Sequence, residues 1–576
     1  MALTFDRYGG AKARPLLGGG TAFRIVKRGQ RFLLATPDGN AFWLKACYGI
    51  DITDGGETFV RTLHAKYSGD PTYPTWGYWW PFVAQAVRNL RQWGFNAIGE
   101  YSSNYAMPVD TNNRGRGNSE KMPFIPLTNA ALQAKRSYGV KELMYGVDEA
   151  VTPGLWRVEG FPDVFDPAFA RAVGELTWPA QLPWLLGTST DDRDYLFGFG
   201  PSRALGGWHN HLGWQAAATR PTQTRNPRLW VGAKQGVTYT DTTVYTKLAL
   251  RDHLRTKYRA LDQLNSAWGS RYTTWDSDDT PWPTGRGFLD ESGRSPWLGR
   301  DFYSLSDSAP AVRADLDEFV GVIAERYFSV TVGALRSKRP GHLVFGPATI
   351  SPAAHPEILR AAGRWCDAVQ FSNEGVKALR RGHSLVGKPF FVWTTFMAQA
   401  DSPQASTKGW AGFDFPTQAE RGRAYARSLN ELTGFRADDD TFPCIGIDWW
   451  AYCDKVTGGE SHNFGLVTVH DNPYDGVAAR VSKTRDTSGQ PVGGETRDYG
   501  DFVSHVKQAN DAVFEQMRDL AARDASRLSS RSGLALLLPL AVWLAHRTDA
   551  PALTRRELLC LPGGAAPIAS ARKVPR

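Results

Sequence analysis

The sequence predicts an α/β protein built as a (β/α)8 TIM barrel. Between residues 20 and 520, short apolar runs of β type alternate with amphipathic helical stretches, the pattern of repeated βα units around a parallel sheet. Eight such units can be counted, and about 500 residues is within what one barrel with insertions absorbs. Acidic and aromatic residues also recur where the β runs end, the face on which such barrels carry their sites.

Residues 1–40 are expected to form an N-terminal β-hairpin cap, running from Phe23-Arg24-Ile25-Val26 to Phe32-Leu33-Leu34 with Pro37-Asp38-Gly39-Asn40 as its turn. Residues 41–522 then make the barrel. Strand one spans Phe42 to Asp51 and is followed by an amphipathic helix from Tyr78 to Trp93. Strand two is Phe95 to Ser102 and strand three Phe124 to Leu127. Asp166 followed by Pro167 is an N-cap with proline at the first helical position, which starts a helix reaching Leu176. Strand four, Trp184 to Thr190, opens a long insertion containing Trp208, His209, His211, Trp214 and Trp230, which leads to a helix from Val244 to Trp268. Strands five to eight are His342 to Pro347, Asp367 to Ser372, Pro389 to Trp393 and Cys444 to Trp449. Helices Glu357 to Trp365 and Thr417 to Leu432 lie among them, and Phe502 to Leu520 closes the count.

Composition narrows the function classes. Across 576 residues, 42% hydrophobic and 22% charged residues describe a soluble chain with ample core, which excludes a disordered, collagen-like or multi-span membrane protein. Trp 21, Tyr 20 and Phe 29 exceed what a core needs and favour a cleft that stacks on flat ligands. The net charge of +9 is concentrated in residues 523–576, where nine Lys/Arg face three Asp/Glu and so supply +6 of it. The body is nearly neutral and has no basic run interleaved with aromatics, so no nucleic-acid partner is expected. The tail 523–576 reads as a basic low-complexity extension, disordered and outside the fold. Its apolar run Gly533 to Ala545 counts 13 residues, is interrupted by Pro539 and falls short of the roughly 20 that a membrane span needs.

Five cysteines without CxxC spacing support neither a disulfide scaffold nor a zinc knuckle, and His209-Asn210-His211 lacks a third ligand at zinc spacing. No Walker A loop, dinucleotide fingerprint or G-x-S-x-G elbow occurs, so no cofactor is expected. Met1 to Asp6 shows neither a basic start nor an apolar core of a signal peptide.

Strand ends in turn present Asp51, Glu100, the cluster Asp191-Asp192-Arg193-Asp194, Asn373-Glu374, Thr394-Thr395 and Asp448-Trp449-Trp450. Acids ringed by aromatics suit glycosidic cleavage, which needs one proton-donating carboxylic acid and one carboxylate as nucleophile or base. Trp393, Trp449 and Trp450 would supply the sugar platform, with Trp208 as an outer subsite. Alternation along a strand lets only one of Trp449 and Trp450 face inward. His462 and Asn463 could hydrogen-bond sugar hydroxyls.

The stretch Leu254-Arg255-Thr256-Lys257-Tyr258-Arg259-Ala260-Leu261-Asp262-Gln263-Leu264-Asn265-Ser266-Ala267-Trp268-Gly269 resembles the LRxRYxxLxxLNxAWG helix end of clan-A glycoside hydrolases, the β-galactosidase and β-agarase-like barrels. Arg31 to Gly39 resembles the entry segment of the agarases and Gly94 to Gly99 their second strand. Asp163-Val164-Phe165-Asp166-Pro167 and Asn463-Phe464-Gly465-Leu466-Val467 agree in order, so the resemblance covers roughly residues 22 to 515. It implies a retaining glycosidase acting on a galactose-containing or related polysaccharide, in an extracellular or periplasmic setting.

The resemblance further implies a Glu acid/base after strand four and a Glu nucleophile at the end of strand seven. Here the first position falls on Arg193 or Asp194, and strand seven leads into Thr394-Thr395. Two readings remain. In one the carboxylates have moved: Asp192 or Asp194 is the general acid and Glu374 the nucleophile, or the base for an attacking water. An Asp, one methylene shorter than Glu, would widen the gap toward the inverting range of about 6.5–9.5 Å. In the other, the barrel has lost hydrolysis and binds glycans only.

Overall fold

The computed structural model describes residues 3–52, 54–67, 78–103, 121–140, 162–177, 182–191, 245–276, 287–289, 310–395, 397–400, 414–456, 462–477 and 500–517. The chain divides into two units, Met1–Val513 and Phe514–Arg576. Nearly all described residues belong to the first, and the tail 523–576 lies outside them.

The N-terminal segment is a four-stranded antiparallel sheet rather than a single hairpin. Strands β1 (Ala11–Pro15), β2 (Arg24–Arg28), β3 (Arg31–Ala35) and β4 (Asn40–Phe42) run in the order β1-β4-β3-β2. Two turns make it. One is at Gly29, with φ +58°; the other, at residues 36–39, is where the sequence places it. At Gly39 a Cβ would lie 2.1 Å from the Leu17 carbonyl oxygen, so this turn requires glycine.

Behind it lie the parallel strands β5 (Leu44–Tyr48), β6 (Ala97–Ile98), β7 (Thr188–Ser189), β8 (Val344–Gly346), β9 (Val369–Ser372), β10 (Phe390–Thr395) and β13 (Cys444–Trp450). A small parallel pair, β11 (Ala398–Gln399) and β12 (Asp414–Phe415), stands apart. Five strands form one sheet in the order β6-β5-β13-β10-β9, and β7 pairs with β8. Phe124, in the expected third strand, makes parallel bridges to Ile98 on one side and Leu185 on the other, and Ile350 bridges Phe371 of β9. Every residue of β5 and β13 is buried, as expected for parallel strands covered on both faces.

Helices α1 (Gly56–Tyr67), α2 (Trp79–Gln92), α3 (Ala130–Tyr138), α4 (Pro167–Glu175), α5 (Tyr245–Tyr258), α6 (Leu261–Trp268), α7 (Pro310–Lys338), α8 (Pro356–Trp365), α9 (Val376–Val386) and α10 (Gln418–Thr433) cover the strands, with a further helix starting at 502. Asp166 caps α4 as expected, accepting from the Ala168 N–H at 2.8 Å. The helix expected from Val244 to Trp268 is broken in two, because Arg259 takes a left-handed φ of +63°. Helix α7 has no counterpart among the expected elements, although Phe319, Ile323, Tyr327 and Thr331 fall at helical spacing on its buried side.

Candidate active site

Parallel strands end at a common edge, so the C-terminal residues of β5, β6, β9, β10 and β13 share one rim. Along β13 successive side chains alternate. Trp449 points to the helices: its ring lies 5.5 Å from Tyr425 of α10 and 5.6 Å from Phe502. Asp448 and Trp450 point the opposite way, into the interior.

There Trp450 stacks on Tyr48, its register partner on β5, at 6.0 Å and 15°. Tyr48 in turn stacks on Trp393 of β10 at 4.9 Å and 7°. Tyr101 tilts against both Tyr48 and Trp393, at 5.9 and 6.2 Å. The three stacked rings are almost sealed, with Tyr48 at 3%, Trp393 at 3% and Trp450 at 6% exposure. Tyr101 is only half-buried, adopts φ +56°, and its hydroxyl finds no hydrogen-bond partner among the described residues.

Below the rings sit two fully buried carboxyls, Glu100 and Asp448. Glu100 is well satisfied: the Ser189 hydroxyl of β7 donates to its Oε1, and the Trp393 indole Nε1 donates to its Oε2 at 3.2 Å. The Gln370 amide of β9 donates to Ser189 and orients that hydroxyl. Burial raises the Glu100 pKa, opposed by the hydrogen bonds from Ser189 and others. Asp448 is pushed well above the carboxylate range, first by burial and then by the charge of Glu100. Gly99 makes room for it, since a Cβ there would fall 2.1 Å from Asp448 Oδ2. Gly99→Ala is therefore expected to destabilise the fold by about 1–3 kcal/mol, read from the shifted midpoint of denaturant unfolding.

The loop following β13 closes over Trp450. His462 and Phe464 stack on each other at 4.8 Å and 6°, and both rings meet Trp450 edge-on at 5.5 and 5.4 Å. Asp454 holds the loop by accepting from the Gly465 N–H at 2.8 Å and the Tyr474 hydroxyl at 2.7 Å. Among the described residues no group of three or more His, Cys, Asp or Glu could hold a metal ion.

Solved structures share this fold. A structure titled PfGH50B superposes with a TM-score of 0.62 at 16% identity, covering 89% of this chain and 69% of that one. An exo-β-agarase gives 0.61 at 18% identity over 89% and 68%. The chain shares the fold of these two structures. Among curated sequences, β-agarase B of Vibrio sp. (strain JT0107) is 21% identical over 437 residues, 73% of this chain but 37% of the relative. A β-amylase of Cytobacillus firmus is 24% identical over 300 residues, 49% of this chain and 56% of the relative. The chain thus spans well under two thirds of the curated relatives it matches. No family model matches it.

Of the residues singled out at strand ends, Glu100, Trp393, Asp448 and Trp450 come together, and His462 and Asn463 lie buried in the loop beside them. Trp449 does not join them, because alternation turns it onto the helices. Asp191 also departs: its Oδ1 accepts from the Ala131 N–H of α3 at 2.7 Å and its Oδ2 accepts from the Tyr327 hydroxyl of α7. That carboxylate serves a helix N-terminus, not the rim. Asp51 is half-buried just beyond β5. Glu374 is exposed after β9, where the Ser372 hydroxyl donates to its Oε1 at 2.6 Å. Asp192, Asp194 and Trp208 lie outside the described residues. Sequence reasoning missed Tyr48, Tyr101, Ser189 and Gln370. A lone glutamine inside the apolar run Ala368-Val369-Gln370-Phe371 was the available signal, since a buried amide demands a partner.

Proposed function

We infer that the chain is a glycoside hydrolase that cleaves O-glycosidic bonds of a galactose-containing polysaccharide, agarase-like in substrate class, at the rim above the Tyr48, Trp393 and Trp450 rings. The reading includes a closed (β/α)8 barrel. Parallel pairings that pass from β5 through β6, Phe124, Leu185, β7, β8 and Ile350 to β9, β10, β13 and back to β5 support that closure.

The observation that carries the catalytic assignment is the burial of Glu100 and Asp448. A carboxyl pair that cleaves a glycosidic bond must flank it, about 5–5.5 Å apart in retaining enzymes and further in inverting ones. Glu100 and Asp448 are both wholly buried and each lies in the other's field, so neither carboxyl is open to a sugar. The chemistry is therefore proposed for other acids. Glu374 stands at the rim as nucleophile or base, with Asp192 or Asp194 as general acid. Asp51 and Tyr101, half-buried near the strand ends, would meet the sugar, with Trp450, His462 and Asn463 buried behind them.

A second reading, a barrel that binds glycans without cutting them, is favoured by Arg193 or Asp194, and Thr394-Thr395, standing where the family resemblance implies glutamates. One experiment separates the two. Agar-type galactans and starch-type glucans are offered to the wild type and to Asp192→Asn, Asp194→Asn and Glu374→Gln. Product from galactan in the wild type, lost in Glu374→Gln and in one Asp variant, is the expected result. Binding without product would favour the second reading, and neither binding nor product would overturn both.

A further inference from the structure

Two carboxyls in contact inside a protein cannot both be ionised. The geometry says which one carries the proton. Glu100 has a donor on each oxygen, Ser189 Oγ–H on Oε1 and Trp393 Nε1–H on Oε2, and such an arrangement suits a carboxylate. Among the described residues neither Asp448 oxygen has a side-chain donor of normal geometry, only the Trp449 peptide N–H favours its charged form, and both oxygens are sealed from solvent. An ionised carboxylate left there would bear the full cost of burial, whereas a protonated one gains a partner at once by donating to Glu100. Cys47 is the other titratable group in the field of Asp448, and burial and that field push its thiol well up, so it supplies no charge.

We propose that Asp448 is held as the neutral acid, donates its proton to Glu100, and through the Glu100 carboxylate fixes the Trp393 indole in the ring layer that underlies the proposed sugar rim. Both acids are positioning residues. They act through a relay that begins at Gln370 and Ser189 and ends at the indole N–H, and they set the plane against which Tyr48 stacks at 7°. The sugar-carrying part of this inference rests on the function proposed above; the proton's location does not.

The relay predicts an asymmetry. In Asp448→Asn, the amide N–H replaces the acid proton and still donates to Glu100, so the arrangement survives. In Glu100→Gln, an amide must donate to Asp448 and keeps only one acceptor oxygen, so either Ser189 or Trp393 loses its acceptor. The test uses the full chain at pH 8, where Asp454, pushed up to about 6, is ionised. Infrared difference spectra of wild type minus Asp448→Asn should show one protonated-carboxyl band lost, while the near-UV circular dichroism of the indoles is retained. Glu100→Gln should change that dichroism and weaken the binding of an agaro-oligosaccharide about tenfold. If Glu100→Gln fails to fold, Trp393→Phe, which keeps a ring and deletes the donor, should weaken binding comparably. An unchanged infrared spectrum in Asp448→Asn, or unaltered binding in whichever second variant folds, overturns the proposal. If the infrared and dichroism results stand while the wild type binds no galactan, the substrate reading fails and the proton's location holds.

Discussion

Glu374→Gln is expected to lower kcat on galactan at least about 100-fold, the usual scale for removing a positioned carboxyl from acid–base or nucleophilic chemistry. Its melting temperature should stay close to that of the wild type. The side chain is exposed, and its hydrogen bond from Ser372 Oγ at 2.6 Å can be accepted equally by an amide oxygen. Surface substitutions of this kind usually cost within about 0.5 kcal/mol. The kinetic split carries the information. A fall in kcat with KM retained places Glu374 in the chemistry, whereas a raised KM with kcat retained makes it a binding group only. Unimpaired turnover, measured as reducing ends released, removes it from the mechanism.

What could be read from the sequence divides along a physical line: position was legible and direction was not. Buried parallel strands announce themselves as apolar runs, and strand ends picked out Glu100, Trp393, Asp448 and Trp450, which lie together in the fold. Asp191 ends a strand as they do, yet its carboxylate turns to the Ala131 N–H and Tyr327. Which way an acid faces depends on a helix that lies far off in sequence. Trp449 and Trp450 were separable in principle by alternation, but choosing the inward one required the register with Tyr48.

The motif that carries the family resemblance proves to concern architecture. Trp268 donates through Nε1 to Asp315 of α7 at 2.6 Å, and Gly269 ends α6 with φ +62°. Asn265 ties the following turn by accepting from Ser270 Oγ and the Tyr272 N–H at 2.7 and 2.8 Å. These residues fasten one helix to another and shape the turn that follows. That is why this stretch could announce the fold while leaving the chemistry to be argued from the site.

The largest expected loss of stability is at Arg421, which is wholly buried although charged. Its Nε donates to the Met397 carbonyl at 2.8 Å and its Nη2 to the Gly465 carbonyl at 2.9 Å, while the guanidinium lies 3.9 Å over the Phe502 ring. It thus joins the end of β10, helix α10 and the loop that carries His462, Asn463 and Phe464. Arg421→Ala should cost about 3–5 kcal/mol, the range for breaking a buried ionic network from one side, because the carbonyls and Asp454 lose their cation. Lysine should rescue it only in part, since a point charge cannot reproduce the planar fork. The effect should also depend on pH, with a definite sign. Burial lifts Asp454 from 3.8 to about 6 and Arg421 holds it down. The stability linked to that raised pKa is present below 3.8 and is lost as pH rises through 6. Without Arg421 the folded-state pKa climbs further, so the carboxyl stays protonated to a higher pH before its burial is felt. The difference in unfolding free energy between wild type and Arg421→Ala should therefore be smaller at pH 5 than at pH 8, as read by denaturant titration at both. A pH-independent difference would mean that Asp454 does not sense the guanidinium, and that the loop over Trp450 is held by the carbonyl hydrogen bonds alone.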